Sequence, residues 1–339
     1  MKTLVCTTPF QLDYSTSEKP IAKEGETLIK IERIGICGTD LHAYEGTQPF
    51  FNYPRVLGHE LAATIVETNA KGFLPNEAVT IIPYFNCGNC IACRMGNENC
   101  CVNINVFGVH IDGGMREFVV VPDSALLKSE GLSFDELALI EPLAISAHGV
   151  RRAAIKQGEF VLVVGAGPIG MGTMEFARIA GGQVIAMDVN EGRLNFCKEK
   201  LQIKHCINPL NEDAMEKLKQ ITNQDMPTVI IDASGNQKAI NNAFQYLGHG
   251  GRFVLIGLQK GEIQFMHPEF HKRESTLMSS RNATKVDFQH AISCVKNKQI
   301  SPLHYITHRV TFDEVVEQFE SWLKPETGVI KAMISFESK

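Results

Sequence analysis

The sequence predicts an α/β chain made of a β-rich part, an inserted α/β part with a parallel sheet, and a short C-terminal return. Two textures and one turn carry that prediction. Up to about residue 145, short runs of alternating apolar and polar residues ("ETLIKIERIGI", "LAATIVET", "EFVVVP") are separated by glycine, proline and asparagine, as strands and turns are. Beyond about residue 147, helix-like and strand-like segments alternate: "AISAHGVRRAAI", "MGTMEFARIA", "QVIAMDV", "EGRLNFCKEKL", "TVIIDAS", "KAINNAFQYL", "GRFVLIGL". That spacing argues for βαβ units. The turn is "EFVLVVGAGPIG", a continuous apolar run ending in glycines. From about residue 280 the pattern loosens, and "GVIKAMISFE" reads as one more strand.

The totals exclude several classes. The chain has 339 residues, long enough for two cores, with 44% hydrophobic and 21% charged residues and a net charge of −5. A weakly acidic chain without a basic block has no electrostatic footprint for nucleic acid. No apolar stretch approaches the roughly 20 residues that span a bilayer. "MKTLVCTTPF" shows no apolar core ahead of a cleavage site. The expectation is a cytoplasmic protein whose thiols stay reduced, so that clustered cysteines read as metal ligands rather than disulfides.

In "VLVVGAGPIG", Gly165, Gly167 and Gly170 stand as G-x-G-x-x-G between a strand and a helix, with Pro168 and Ile169 inside the turn. The first glycine permits the tight turn, the second lets backbone approach a pyrophosphate, and the third lets helix pack close to strand. Asp188 ends the next apolar run, where an acid accepts from both ribose hydroxyls of an adenosine and repels a 2′-phosphate. NAD is therefore expected over NADP. Arg193, five residues on, suits either a phosphate or the adenine end of NAD. Gly257, after "RFVLI", is a further expected cofactor contact.

"FNCGNCIACRMGNENCC" places five of the ten cysteines in one run. Cys87, Cys90 and Cys93 stand at C-x2-C-x2-C, followed by the adjacent Cys100 and Cys101. Four thiolates close a tetrahedral zinc shell, which makes a structural site. Spacing alone leaves the choice between Cys100 and Cys101 open. A second set is scattered: Cys37, Thr39, Asp40 and His42 in "GICGTDLH", His59 and Glu60 in "VLGHE", Glu141 and His148 in "LIEPLAISAH". A cysteine, a histidine and a carboxylate supply three ligands of mixed softness and leave a fourth position open, as a catalytic zinc needs. Cys37 thiolate and Glu141 carboxylate together cancel the charge of a divalent ion.

In this order, "GICGTDLHAYEG…YPRVLGHE", the cysteine lobe, "DGGMREFVVVP", "IEPLAISAH" and "VLVVGAGPIG" resemble the zinc-dependent medium-chain dehydrogenases, from about residue 25 to "GVIKAMISF". "QPFFNYPRVLGHE", "FGVHIDGG", "LIEPLAISAHGVRRAAI" and "SSRNAT" look most like the sugar-acid branch, the bacterial L-galactonate and L-gulonate 5-dehydrogenases. Simple alcohol dehydrogenases carry a cysteine where Glu141 stands.

The resemblance implies a GroES-like β-barrel catalytic domain over residues 1–146 and a doubly wound Rossmann domain over residues 147–280. Residues 281–339 then return to the catalytic domain. It implies two zinc ions per chain: a catalytic one at Cys37, His59 and Glu141, and a structural one at Cys87, Cys90, Cys93 and Cys101, with Cys100 a bystander. Glu60 is a ligand in some relatives and a neighbour of the metal in others. Thr39 and His42 match the family's proton relay. Asp40 is expected to accept from the second ring nitrogen of His59, and Lys331 matches the basic residue that pairs with this acid or the cofactor in relatives.

The implied reaction is reversible oxidation of a secondary alcohol of a sugar acid by NAD. Arg281 and Asn282, then Arg55 and His110, are candidates for the substrate carboxylate, with Phe50 and Phe51 as lining. Relatives imply a homodimer or homotetramer. The competing expectations are a polyol or threonine dehydrogenase with the same zinc chemistry, and a non-catalytic zinc- and dinucleotide-binding relative.

Overall fold

The structure, a computed structural model, describes residues 1–336. The chain divides into two compact units: Met1–Glu141 with the segment from Thr284 onward, and Pro142–Ala283. The divisions fall at 141/142 and 283/284, where the sequence reading set them at 146/147 and 280/281.

The first unit is built on a seven-stranded sheet. Its strands run in the order Ile306–Thr311, Lys331–Ser335, Glu26–Gly35, Glu60–Glu67, Ala78–Ile81, Leu126–Lys128, and Phe118–Pro122 pairs with Glu26–Gly35. The C-terminal return therefore enters the sheet as two strands, Ile306–Thr311 parallel to Lys331–Ser335, and the latter antiparallel to Glu26–Gly35. Apolar residues from these strands and their connections, among them Ile29, Ile31, Ile34, Leu57, Leu61 and Ile65, close one core. The alternation read in "ETLIKIERIGI" breaks at Glu32. That carboxylate is buried because it accepts from Thr64 Oγ1 at 3.0 Å and from Lys30 Nζ at 3.3 Å.

The second unit holds six parallel strands ordered His205–Ile207, Gln183–Met187, Phe160–Val164, Val229–Asp232, Arg252–Leu255, Thr276–Ser279. The first strand in sequence, Phe160–Val164, lies inside the sheet, with the next strand on one side and Val229–Asp232 on the other. Its C-terminal end is the point where strand order reverses, the place where open α/β sheets bind ligands. Helices Pro168–Ile179 and Glu191–Glu199 follow the first two strands, as the alternation predicts. Among the described residues no helix is long and apolar enough to cross a membrane.

Candidate active site and metal centres

Cys37 follows the strand Glu26–Gly35 and caps the short helix Gly38–Tyr44. Asp40, fully buried, ties the two halves of the motif together. Its Oδ2 accepts from Cys37 N and its Oδ1 from Gly58 N, both at 3.0 Å. It thereby fixes "GICGTD" against "LGHE" through the backbone. His59 Nδ1 lies 3.7 Å from Asp40 Oδ1, beyond hydrogen-bond reach, and this buried nitrogen has no hydrogen-bond partner. The expected Asp40–His59 hydrogen bond is thus replaced by an ion-pair contact, because the carboxylate oxygens are turned to backbone N–H groups. Burial disfavours a charged imidazole here, yet Asp40, Cys37 and Glu141 outweigh it and hold His59 well above its ordinary pKa.

Ligand atoms of Cys37, His59 and Glu60 lie within 4.8 Å of one another. Glu60 opens the strand Glu60–Glu67 opposite Gly35. A Cβ on Gly35 would lie 2.2 Å from Glu60 Oε2, so only glycine leaves that carboxylate its place. Lys331 pairs with Glu60 rather than with Asp40: its ammonium reaches Oε1 at 2.6 Å, Oε2 at 2.7 Å and Ile36 O at 2.9 Å. Three donors meet three acceptors in a fully buried setting. Glu141 lies outside that 4.8 Å group. It stands at the second position of helix Ile140–Ala153, buried, and accepts from Tyr84 Oη. Burial pushes its carboxyl up to about 7, with His59 opposing and Glu60 adding to the shift.

An orphaned buried imidazole nitrogen, a thiol and two buried carboxylates form a donor set that suits a divalent metal. The same holds for the lobe, where Cys87, Cys90, Cys93 and Cys101 gather within 4.8 Å. Sγ–Sγ separations are 3.5 Å for Cys90–Cys93 and for Cys87–Cys101. Backbone N–H groups of Cys93 and Val102 hold the Cys90 thiol down at about 6, toward the thiolate a metal takes. The short 3-10 turn Glu98–Cys100 leaves Cys100 exposed and turns Cys101, 1% exposed, into the cluster.

The relay candidates share a helix. Thr39, half-buried, and His42, exposed, are three positions apart, hence on one face. His42 Nδ1 sits 3.2 Å from Thr47 Oγ1 and 3.4 Å from Glu45 Oε2. Of the substrate candidates in this unit, His110 is half-buried and accepts from Val106 N through Nδ1 at 3.0 Å. Arg55 faces Asp112 at 3.4 Å and Phe50 is exposed. Arg281 is exposed, and Asn282 takes a left-handed backbone with φ of 53°.

In the second unit the glycine turn meets the steric demands read from the motif. Gly165 has φ of +99°, and a Cβ there would lie 2.7 Å from Ser234 N. A Cβ on Gly170 would lie 1.8 Å from Gly165 O, whereas one on Gly167 would meet nothing within 4 Å. Gly167 caps helix Pro168–Ile179, with Pro168 at its first position and Ile169 next. Open space over a helix N-terminus is what an approaching pyrophosphate needs. Asp188 Oδ2 accepts from Ala166 N at 2.5 Å and Oδ1 from Asn190 N at 2.8 Å, which ties the second strand's end to the turn. Arg193 is half-buried in the first turn of helix Glu191–Glu199. A Cβ on Gly257 would lie 2.2 Å from Gly235 N.

Residues 23–131 match the alcohol dehydrogenase GroES-like domain, and residues 168–297 match the zinc-binding dehydrogenase domain. Over 338 residues, 99% of each chain, the sequence is 44% identical to the L-galactonate-5-dehydrogenase of Escherichia coli strain K12. The chain belongs to the zinc-type alcohol dehydrogenases. Solved members of this family superpose over nearly the whole chain. An alcohol dehydrogenase of Escherichia coli CFT073, complexed with NADH, is 30% identical with a TM-score of 0.90, covering 99% of both chains. The L-idonate 5-dehydrogenase of Escherichia coli K-12 is 26% identical with a TM-score of 0.89, covering 99% of this chain and 98% of that one. The dehydrogenase fold is thus a GroES-like domain with an inserted Rossmann-type domain. Tyr84 and Gly35 were not singled out from the sequence; their only signals are a tyrosine directly ahead of the cysteine lobe and a glycine two residues before Cys37.

Proposed function

We propose that this dehydrogenase oxidises the C5 hydroxyl of an L-galactonate- or L-gulonate-type sugar acid, with NAD as hydride acceptor. The observation that carries the reading is the full-length 44% identity to an L-galactonate-5-dehydrogenase. The gathering of Cys37, His59 and Glu60, with the buried Glu141 near enough for its charge to act on His59, supports it.

Cys37, His59 and Glu141 would hold the catalytic zinc, and Cys87, Cys90, Cys93 and Cys101 the structural one. Glu60 stays a neighbour of the metal, since both of its oxygens are engaged by Lys331. When bound, the zinc supplies Lewis acidity toward the substrate hydroxyl and NAD supplies the hydride acceptor. The Glu60–Lys331 pair is neutral, so Cys37 and Glu141 alone balance the metal's charge. Thr39 Oγ1 would accept the proton of the substrate hydroxyl as it gives up its own, and His42, at the exposed end of the relay, would take up a proton and release it to solvent. Asp188 favours NAD by binding the adenosine ribose and repelling a 2′-phosphate. Gly165, Gly167, Pro168, Ile169 and Gly170 form the pyrophosphate turn, with Arg193 and Gly257 further along the cofactor. Arg281 with Asn282, then Arg55 and His110, are candidates for the substrate carboxylate, and Phe50 for lining. The exposed edge strand Thr276–Ser279 supports a homodimer or homotetramer in which sheets pair edge to edge.

The test is isotopic. L-galactonate deuterated at C5 should deliver its deuterium to the nicotinamide and show a slowed rate. Transfer of hydrogen from another carbon, or no transfer, would overturn the assignment of C5.

A further inference from the structure

We propose that Tyr84 is a positioning residue of the catalytic metal site, acting through Glu141. The inference rests on the reading of Glu141 as a metal ligand. Tyr84 lies in the two-residue strand Tyr84–Phe85, paired antiparallel with Asn105–Val106, directly ahead of the cysteine lobe. Its ring meets Phe288, a fully buried residue of helix Lys285–Lys296, edge-on at 6.2 Å and 68°. Backbone pairing fixes one end of the side chain and ring packing fixes its middle. The hydroxyl then reaches a single atom, Glu141 Oε1.

That contact decides how the carboxylate can serve a metal. A carboxylate has two oxygens and can bind an ion through one or both. A bidentate Glu141 would occupy two positions and crowd out the one a substrate oxygen needs. The Tyr84 hydroxyl takes up a lone pair of Oε1, which leaves Oε2 the freer of the two oxygens for an ion. Tyr84 therefore disfavours binding of an ion through both oxygens of Glu141 and helps keep a fourth position open. Ligating carboxylates held by an outer hydrogen bond are common in metal sites, and loss of the partner costs about 10–100-fold in metal affinity or activity.

The test uses the full-length enzyme with cobalt(II) in the catalytic site and zinc in the lobe. Tyr84→Phe keeps the ring against Phe288 and removes only the hydroxyl. The expected result is weaker visible absorption, as four-coordinate cobalt gains a fifth ligand, with metal affinity or kcat/KM down by roughly 10–100-fold. Lobe zinc should remain at one per chain, which certifies the fold. Tyr84→Leu, which also loses the ring, should show the same spectral change. A Tyr84→Phe protein with the parent spectrum and parent metal affinity overturns the proposal. Glu141→Gln separates the two failures. If it loses catalytic metal while Tyr84→Phe behaves as the parent does, only the role of Tyr84 falls. If it keeps the metal and the spectrum, the ligand reading of Glu141 falls and the role of Tyr84 with it.

Discussion

Lys331 and Glu60, 271 positions apart in the chain, form a buried bidentate ion pair with N–O distances of 2.6 and 2.7 Å. Each is almost without solvent access, at 3% and 1% side-chain exposure. Removing one partner leaves the other charged and unpaired in the core. Lys331→Met should therefore cost about 3–5 kcal/mol of stability. Adding Glu60→Gln should restore much of it, because the orphaned charge goes too. Urea unfolding of the single and double variants measures this, and additive losses would contradict the pairing.

The cysteine run makes a sharper claim about two neighbours. Cys101→Ser should lower bound zinc from two to one per chain, while Cys100→Ser should leave two. Metal analysis of the purified variants decides, and the reverse pattern would reassign the fourth ligand.

Two glycines of the turn should separate binding from folding. Gly167→Ala adds a Cβ that meets nothing within 4 Å, so thermal stability should hold while NADH affinity falls. Gly170→Ala would set a Cβ 1.8 Å from Gly165 O, so stability should fall by about 1–3 kcal/mol along with affinity. Melting curves and NADH fluorescence titrations on the two variants check the contrast.

Acid should weaken the second unit through Glu159. Burial alone would raise its pKa, but Arg252 grips both oxygens, at 3.0 and 2.6 Å, and Thr228 and Lys156 N donate as well. The carboxyl is held at about 2. A folded pKa below the unfolded one gives stability that is present above the unfolded value near 4.5 and lost as pH falls toward 2. After solvent screening this is worth about 1–2 kcal/mol. Glu159→Gln should flatten that part of the stability–pH curve, and an unchanged slope would show the pair to be idle.

What could be read in the sequence follows from range. The glycine turn was legible because its motif is local: Gly165 takes a left-handed backbone and Gly170 packs against Gly165 O five positions back, although Gly167 answers to no contact within the chain. The cysteine lobe was legible because its spacing is local, although spacing alone left the choice between Cys100 and Cys101 to the family resemblance; the 3-10 turn then places Cys100 outside the cluster and Cys101 in it. Lys331 was expected near Asp40 or the cofactor. Its true partner follows from sheet order, since Lys331–Ser335 and Glu60–Glu67 both flank Glu26–Gly35. Tyr84 and Glu141 meet across 57 positions, again through tertiary packing that no local pattern encodes. The breakdown of alternation at Glu32 has the same origin, because its partner Thr64 comes from the next strand.

The central claim is the sugar-acid substrate, and NADH formation by zinc-loaded enzyme tests it most directly. The panel is L-galactonate, L-gulonate, other aldonates, sorbitol, xylitol and L-threonine. Turnover should be confined to one or two aldonates, with kcat/KM at least roughly 100-fold above that for any neutral polyol, since a site built for a carboxylate leaves its polar groups unpaired without one. Turnover confined to polyols or threonine would contradict the account of the substrate while leaving the zinc sites in place.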